Sequence, residues 1–503
     1  MDLSSDSSID RKQAARFLYA STFGPKKGDI DNLVNKGYDD WFDEQFNTPP
    51  NYHLPLTRQY KRSNKSIGEE ERLGVWWKHT IHGKDQLRQR MVFALSQVFV
   101  VGVSPQISSE KQAYYYDMLT EHAFGNFRDL LTAVTLSPEM GWFLTYGSLS
   151  IPRRYDENYA RELMQLFTIG LWKIASNGLP AVDKDGLPIP TYSQNDVEEL
   201  ARVFTGWRIE SWFEPMSEYS RSHDHDSKIV LGEYFPEKQT AEQDMEQALD
   251  LLFNHANTPF YISMLLIKRF TISNPRRQYI DRVAKAFRDN GYGERGDLKA
   301  VLIAILTDPD VIKSYAISDH LDTGRSESNY GRVKEPLITM ANLARALDMN
   351  SNDPERWWDS IRTEANLGMS PLRADSVFGF YAPDYAPSGE IEDIELTAPE
   401  FFIHNQDCVM GINNTFWDAI LAYNSTHNNK HWSWDRGDFE KVHEDPKALV
   451  ELINERLFGG NMSRELISFL KENINELDIY DIDRRICNAL YIAVSSPQFR
   501  CQE

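Results

Sequence analysis

From residue 10 onward, apolar residues return every three or four positions, the spacing of one helical face. Residues 10–20 and 28–47 read as two amphipathic helices, the second interrupted at Gly37. The same pattern predicts helices at 69–82, 84–101, 109–123, 127–136, 157–171, 194–206, 240–254, 259–270, 275–290 and 296–307. It continues at 334–347, 354–365, 398–423, 446–457, 462–474 and 481–495. No a/d heptad persists, so the helices belong to a globular body and not to a coiled coil. The expected fold is mainly α: one large multi-helix domain over residues 10–500.

Strand-like stretches are few. NGLPAVDKDGLPIPTY (177–192) sets Asp-Gly between short runs flanked by proline, the composition of a β-hairpin arm. Its DKDG could open a calcium loop, but the twelfth position from Asp183 is Gln194, which supplies no carboxylate. HDSKIVLGEYF (225–235) reads as a short strand and turn. Residues 318–332 and 425–441 read as surface loops, and neither is a Gly/Ser linker between separate domains.

Candidate chemistry begins with ENYARELMQLFTIG (157–170). Wound as a helix, it gathers Glu157, Asn158, Arg161, Glu162, Gln165 and Thr168 on one arc and the apolar residues on the other. Glu157 and Arg161 are four apart in the favourable orientation for an ion pair, and Asn158 and Glu162 have the same spacing. The arc mixes Asn, Gln, Thr, Arg and Glu, unlike the Lys/Glu alternation of a solvated face. A second helix offers Asp196, Glu199 and Arg202, so Arg–carboxylate pairs between the two are one reading. A carboxylate with a shifted pKa, acting as acid, base or ligand, is the other.

SHDHDSK (222–228) is the next candidate. If extended, it aims His223 and His225 one way and Asp224 and Asp226 the other, half of a zinc or iron site. No second half follows at a standard spacing, so a hydrogen-bonded surface histidine competes with a ligand. His255, before a proline, suits a helix C-terminus, and His404 suits a core helix. Ser370, Arg373 and Ser376 could bind an anion beside a wall of Phe378, Phe380, Tyr381 and Tyr385. Trp432 and Trp434 could form a flat sugar-binding patch. Both aromatic groups could equally pack loops onto the helical body.

Charge narrows the partners. The chain holds 75 Asp and Glu against 54 Lys and Arg, a formal charge of −21. That surface repels phosphate backbones and anionic lipid heads, so no nucleic-acid partner is expected. The apolar stretch from Met91 is shorter than the ~20 residues of a membrane span and is broken by Ser96 and Gln97. The polar start, MDLSSDSSIDRK, contains no apolar signal core, as a trimmed secreted protein would also show. Three cysteines form no disulfide framework; Cys487 and Cys501 could pair, or both could be buried thiols. Gly-x-Ser-x-Gly, phosphate-loop and dinucleotide motifs are missing, which lowers serine-hydrolase, nucleotide and nicotinamide chemistry.

Several segments together resemble the bacterial family of domain of unknown function 1800. They are AARFLYASTFGP (14–25), ENYARELMQLFTIGL (157–171), PTYSQNDVEELARVFTGW (190–207), HDSKIVLG (225–232) and LLFNHANTPFYISMLLIKRF (251–270). They continue with GYGERGDLKAVLIAILTDPD (291–310), KEPL (334–337), MSPLRADSVFGFYAPDYAPSG (369–389) and APEFFIHN (398–405). The resemblance gives His225, Asp226 and Asn405 more weight than His223 and His404. It implies a bacterial protein, periplasmic or extracellular, often encoded beside a sulfatase-like partner of the domain of unknown function 1501 family. It implies no reaction. Some members carry histidines after the Arg-x-Arg start of an apolar helix; here RQRMVFALSQVFVVG (88–102) has Ser96 and Gln97 instead.

Two functional expectations follow. In one, the protein is a hydrolytic enzyme acting on a polymer or its modification. Glu162 is then acid, base or ligand, Asn158 and Arg161 orient the substrate, and His225 with Asp226 holds a divalent metal or shuttles protons. In the other, it is a non-catalytic binding or assembly partner of the sulfatase-like protein. The site is expected where the helices at 157–171 and 194–206 meet the His225 segment.

Overall fold

Asp10 caps the first helix, α1 (Arg11–Ser21), by accepting from the Gln13 amide, and the Gln13 side chain accepts from the Asp10 amide in return. The next predicted helix is two, Asp29–Lys36 and Tyr38–Asn47, divided at Gly37 with φ of 84°. The structure, a computed structural model, describes residues 9–60, 67–147, 155–175, 180–312, 331–352, 366–423 and 432–502. The helix predicted at 354–365, the body of the 318–332 loop and residues 425–431 lie outside them.

The helices that carry the argument follow in order. They are α2 (Gln86–Leu95), α3 (Ser109–His122), α4 (Phe127–Leu136), α5 (Pro138–Phe143), α6 (Asn158–Gln165), α7 (Gln194–Val203) and α8 (Ala241–Asn254). Then come α9 (Thr258–Phe270), α10 (Arg277–Arg288), α11 (Leu298–Leu306), α12 (Pro336–Ala346), α13 (Gln406–Ile420) and α14 (Pro446–Phe458). Two more, α15 (Arg464–Asn475) and α16 (Ile482–Ser495), close the bundle. The fold is mainly α. Among the described residues the strands pair only as two-stranded antiparallel ribbons, such as β1 (Trp207–Arg208) with β2 (Ser217–Glu218) and β3 (Lys228–Val230) with β4 (Glu233–Phe235). Leu231 and Gly232, with φ of 50° and 83°, form the tight turn between them.

Differences from the periodicity have local causes. The 84–101 helix stops at Leu95, where the Ser96 hydroxyl turns back to the Phe93 carbonyl. The 157–171 helix stops at Gln165 because the amides of Ile169 and Gly170 both return to the Met164 carbonyl, with Gly170 left-handed. At 398–423, Asn405 opens a new helix by accepting from the Cys408 amide. The hairpin arm is present: bridges pair Trp172 with Pro190 and Val182 with Pro188, and the tip lies at Asp183–Gly186.

One hydrophobic core runs from Ala14 to Phe499. Trp432 and Trp434 belong to it, both buried, with the Trp434 indole donating to the Ile420 carbonyl. This corrects the expectation of an exposed sugar-binding patch: an indole gains more by burial against apolar neighbours when its N–H finds a partner. Arg373 is corrected likewise. Its guanidinium pairs with Glu69 at 2.9 Å, so it already has an internal anion. All three cysteines are free thiols.

A knot of charges lies inside this core. Arg332 pairs with Glu335, with Glu400 at 3.0 Å and with the Arg269 carbonyl. Arg90 of α2 donates to the same carbonyl, Arg269 donates to Gln97, and the Tyr381 hydroxyl donates to Glu335. Burial works to raise the Glu335 pKa, but Arg332, Arg90 and Arg269 outweigh it and hold the group below its ordinary range. Five segments distant in sequence are joined there. No helix among the described residues is long and apolar enough to cross a membrane.

Candidate functional site

The polar arc of α6 is mostly satisfied by its neighbours. Arg161 donates to Glu157 at 2.7 Å and to Gln194 at the start of α7, and Gln194 donates back to Glu157. Arg161 and Glu157 are each about one-third exposed, at 37% and 34%. A half-solvated pair of this kind contributes roughly 0.2–1 kcal/mol. Asn158 is exposed and donates to the Thr145 hydroxyl at 3.1 Å. Glu162 differs: it is buried, its Oε2 has no hydrogen-bond partner, and burial raises its pKa despite the nearby Arg161.

The His225 segment lies at the other end of α7. Arg202 there forks onto both oxygens of Asp224, at 2.8 and 3.2 Å, and also holds Glu199. Gln194 and Arg202 are eight residues apart, so the Arg161 and His225 groups are separated by about 12 Å along the helix axis. The expected site is therefore two clusters. Gly206 lets the second form: a Cβ on it would meet the Cβ of His223 at 2.7 Å.

Residues 223–227 are irregular chain and the strand begins only at Lys228. The His223 and His225 rings touch edge to face at 5.0 Å, but their nitrogens do not converge. His223 is buried, with Nδ1 on the Thr205 carbonyl and Nε2 facing Asp244 at 3.2 Å. His225 is exposed and faces carbonyls with both nitrogens, Gln239 at 2.9 Å and Ser220 at 3.0 Å. Carbonyls call for N–H groups, so this geometry turns no lone pair of His225 outward. Asp226 is exposed; its amide donates to Asp224. Among the described residues no group of three or more His, Cys, Asp or Glu is gathered to hold a metal ion.

Lys228 ties the segment down. Its ammonium, buried, donates to Asp244 at 2.7 Å and to the carbonyls of Asp224 and Asp226. Burial would raise Asp244, yet bonds from His223, Lys228 and Gln239 hold its pKa below the ordinary range. The HDHDSK motif thus docks β3 onto α7 and α8. His255 has a comparable local role: its Nδ1 accepts from the Asn257 amide, while Arg295 covers the Phe253 carbonyl at the end of α8.

A roomy cleft lies elsewhere, between α3, α4, α5 and α8, with a volume of about 600 Å³. Tyr114, Met118 and His122 recur every four residues on one face of α3, and Glu246 and Asp250 do so on α8. Arg128 of α4 clasps across to α8, donating to Glu246 at 2.6 Å and Asp250 at 2.7 Å. At the cleft wall Ser137 caps α5, Pro138 takes the first helical position and Glu139 the second.

Glu139 is completely buried. Its Oε2 accepts from the Ser137 hydroxyl at 2.9 Å, and its Oε1 has no partner. Burial pushes its pKa up to about 8, and its own amide, Ser137 and Lys111 only partly oppose that. At neutral pH the group is a protonated carboxylic acid. His122, on the same cleft, is pushed the other way by burial and stays neutral. An acid held neutral behind the wall of a cleft can donate a proton to a bound ligand once a side-chain movement opens it to the cleft.

Sequence reasoning missed Glu139, although a signal was available. It is the only charged residue between Asp129 and Arg153, set within an otherwise apolar and small-polar run. An isolated carboxylate in such a run is either paired by tertiary structure or protonated. No curated protein and no solved structure matches the chain. One family model does, over residues 16–501, and the chain belongs to that family, DUF1800, described as proteins of unknown function.

Proposed function

We propose that the protein is an acid–base enzyme, hydrolytic in type, acting on a polymer or its modification in the cleft between α3, α4, α5 and α8. The observation that carries the reading is Glu139, a neutral carboxylic acid with an unpartnered oxygen, buried at the wall of this cleft. Its proton would go to the leaving oxygen as that bond breaks, with water adding to the other fragment. The volume of about 600 Å³ lies in the range of small-ligand sites, about 300–1,000 Å³. Glu162, also buried and raised, is the rival acid, but it does not line this cleft.

The test is a panel of ester- and glycoside-linked polymers and oligomers with the wild type, Glu139→Gln and Glu162→Gln. Turnover should fall about 10²–10⁴-fold in Glu139→Gln, with a melting temperature no lower than that of the wild type, and stay near wild type in Glu162→Gln. Activity should hold below about pH 8 and fall above it, since the acid must carry its proton. Full turnover by Glu139→Gln would sink the reading.

A second reading, contact with a protein partner, is supported by exposed Phe378, Ile394, Phe401, Phe402 and Met410. The sulfatase-like protein implied by the family resemblance is the proposed partner, and an exported location goes with it. Co-purification with Phe401→Ser and Phe402→Ser as controls tests this; a complex untouched by both changes would contradict it.

A further inference from the structure

The charges around the cleft are uneven. Asp129, Glu246 and Asp250 stand at its rim as carboxylates, and Arg128 is the one cation among its lining residues once His122 is neutral. Arg128 is shared between Glu246 and Asp250, leaving one oxygen on each without a partner among the described residues. Asp129 is exposed and has no hydrogen-bond or ion-pair partner there. Deeper in, the unpartnered Oε1 of Glu139 marks a polar position that the fold itself leaves unsatisfied. Tyr114, Met118, Leu136, Pro138 and Pro215 supply an apolar surface between rim and wall. Phe213 packs edge-on against Tyr114 at 5.7 Å and extends it.

An anionic ligand would meet this rim and the overall charge of −21 unfavourably. We propose that the cleft takes a substrate bearing an organic ammonium group on a ring or short chain, with Asp129, Glu246 and Asp250 holding the ammonium and Glu139 facing the bond that reacts. This rests on the reading of the cleft as the active site. An amino sugar and an aliphatic amine share this chemistry. The body of the ligand lies on Tyr114 and Met118, and the ammonium displaces only water at the exposed rim. Attraction of that kind is screened by salt.

Titration calorimetry of the full chain distinguishes the cases, with glucosamine trisaccharide, its N-acetylated uncharged counterpart and spermidine as probes. The charged trisaccharide, spermidine or both should bind at least about 10-fold more tightly than the acetylated sugar, and raised salt should shrink that difference. Binding by spermidine alone identifies an aliphatic amine; a preference for the charged trisaccharide identifies an amino sugar. Asp129→Asn should reduce the preference several-fold, and because Asp129 is exposed the variant keeps its fold. Glu139→Gln should keep the preference while losing turnover. Equal binding of charged and acetylated sugar without spermidine binding, binding of no probe, or a preference that survives Asp129→Asn combined with Glu246→Gln would overturn the inference. The two readings fail separately. Wild-type turnover by Glu139→Gln removes the active site but leaves an ammonium preference standing. An inactive Glu139→Gln with no ammonium preference in the wild type does the reverse.

Discussion

The segment around Lys228 and the wall around Glu139 both bury acids, and they handle them in opposite ways. Asp244 meets an ammonium, an imidazole and an amide, and it stays ionised. Glu139 meets one hydroxyl and keeps its proton. The first arrangement holds elements together, because a buried charge fully met by donors fixes the geometry of everything that supplies them. The second leaves a reactive proton beside space for a ligand. Pairing, more than residue type, separates structural from chemical carboxylates here.

Breaking the paired side should give the largest effect. Lys228→Met removes the ammonium from Asp244 and should destabilise the fold by about 3–5 kcal/mol in urea unfolding, as expected when one partner of a buried ion pair is lost. A change below about 1 kcal/mol would mean the cluster is not a clasp.

The unpaired side should respond in the other direction, and with pH. The folded value of Glu139, about 8, lies above its ordinary 4.5. Between those values the unfolded chain holds fewer protons at this position than the folded one, so stability falls as pH rises through that window. Below it both states carry the proton and the penalty is absent. Glu139→Gln should therefore stabilise the protein near pH 8, by up to a few kcal/mol, and lose that advantage toward pH 4.5. A variant equally destabilised at both pH values would contradict this.

Smaller effects sharpen the contrast. His225→Ala removes two bonds from an exposed ring to carbonyls and should cost about 1 kcal/mol or less, with no change in bound metal by elemental analysis. Arg161→Ala should cost less still, about 0.3–0.5 kcal/mol, because the Glu157 pair is half solvated.

Much of the fold was legible because helices announce themselves by local periodicity. The ends at Gly37 and Ser137 show residue-scale signals of turning and capping. Legibility failed where distant segments decide. Gln165 ends α6 only because the following amides fold back on Met164, and Trp434 is buried only because the core reaches it. The arc of α6 and the HDHDSK motif stand out in the sequence, but what a polar residue does depends on what faces it. Arg202 and Asp244 meet the motif from 22 and 16 residues away, and no spacing rule predicts them. Glu139 was visible as a lone acid in an apolar run, while the cleft that gives it meaning is built by four helices.

The most direct test of the central claim is difference infrared spectroscopy of protonated carboxyl groups, from about pH 6 to about pH 9, on wild type, Glu139→Gln and Glu162→Gln. A protonated-carboxyl band that disappears through about pH 8, is missing from Glu139→Gln and survives in Glu162→Gln is the predicted result. A band unchanged in Glu139→Gln would show that this carboxyl is ionised at neutral pH, and the acid assigned to the cleft would not exist.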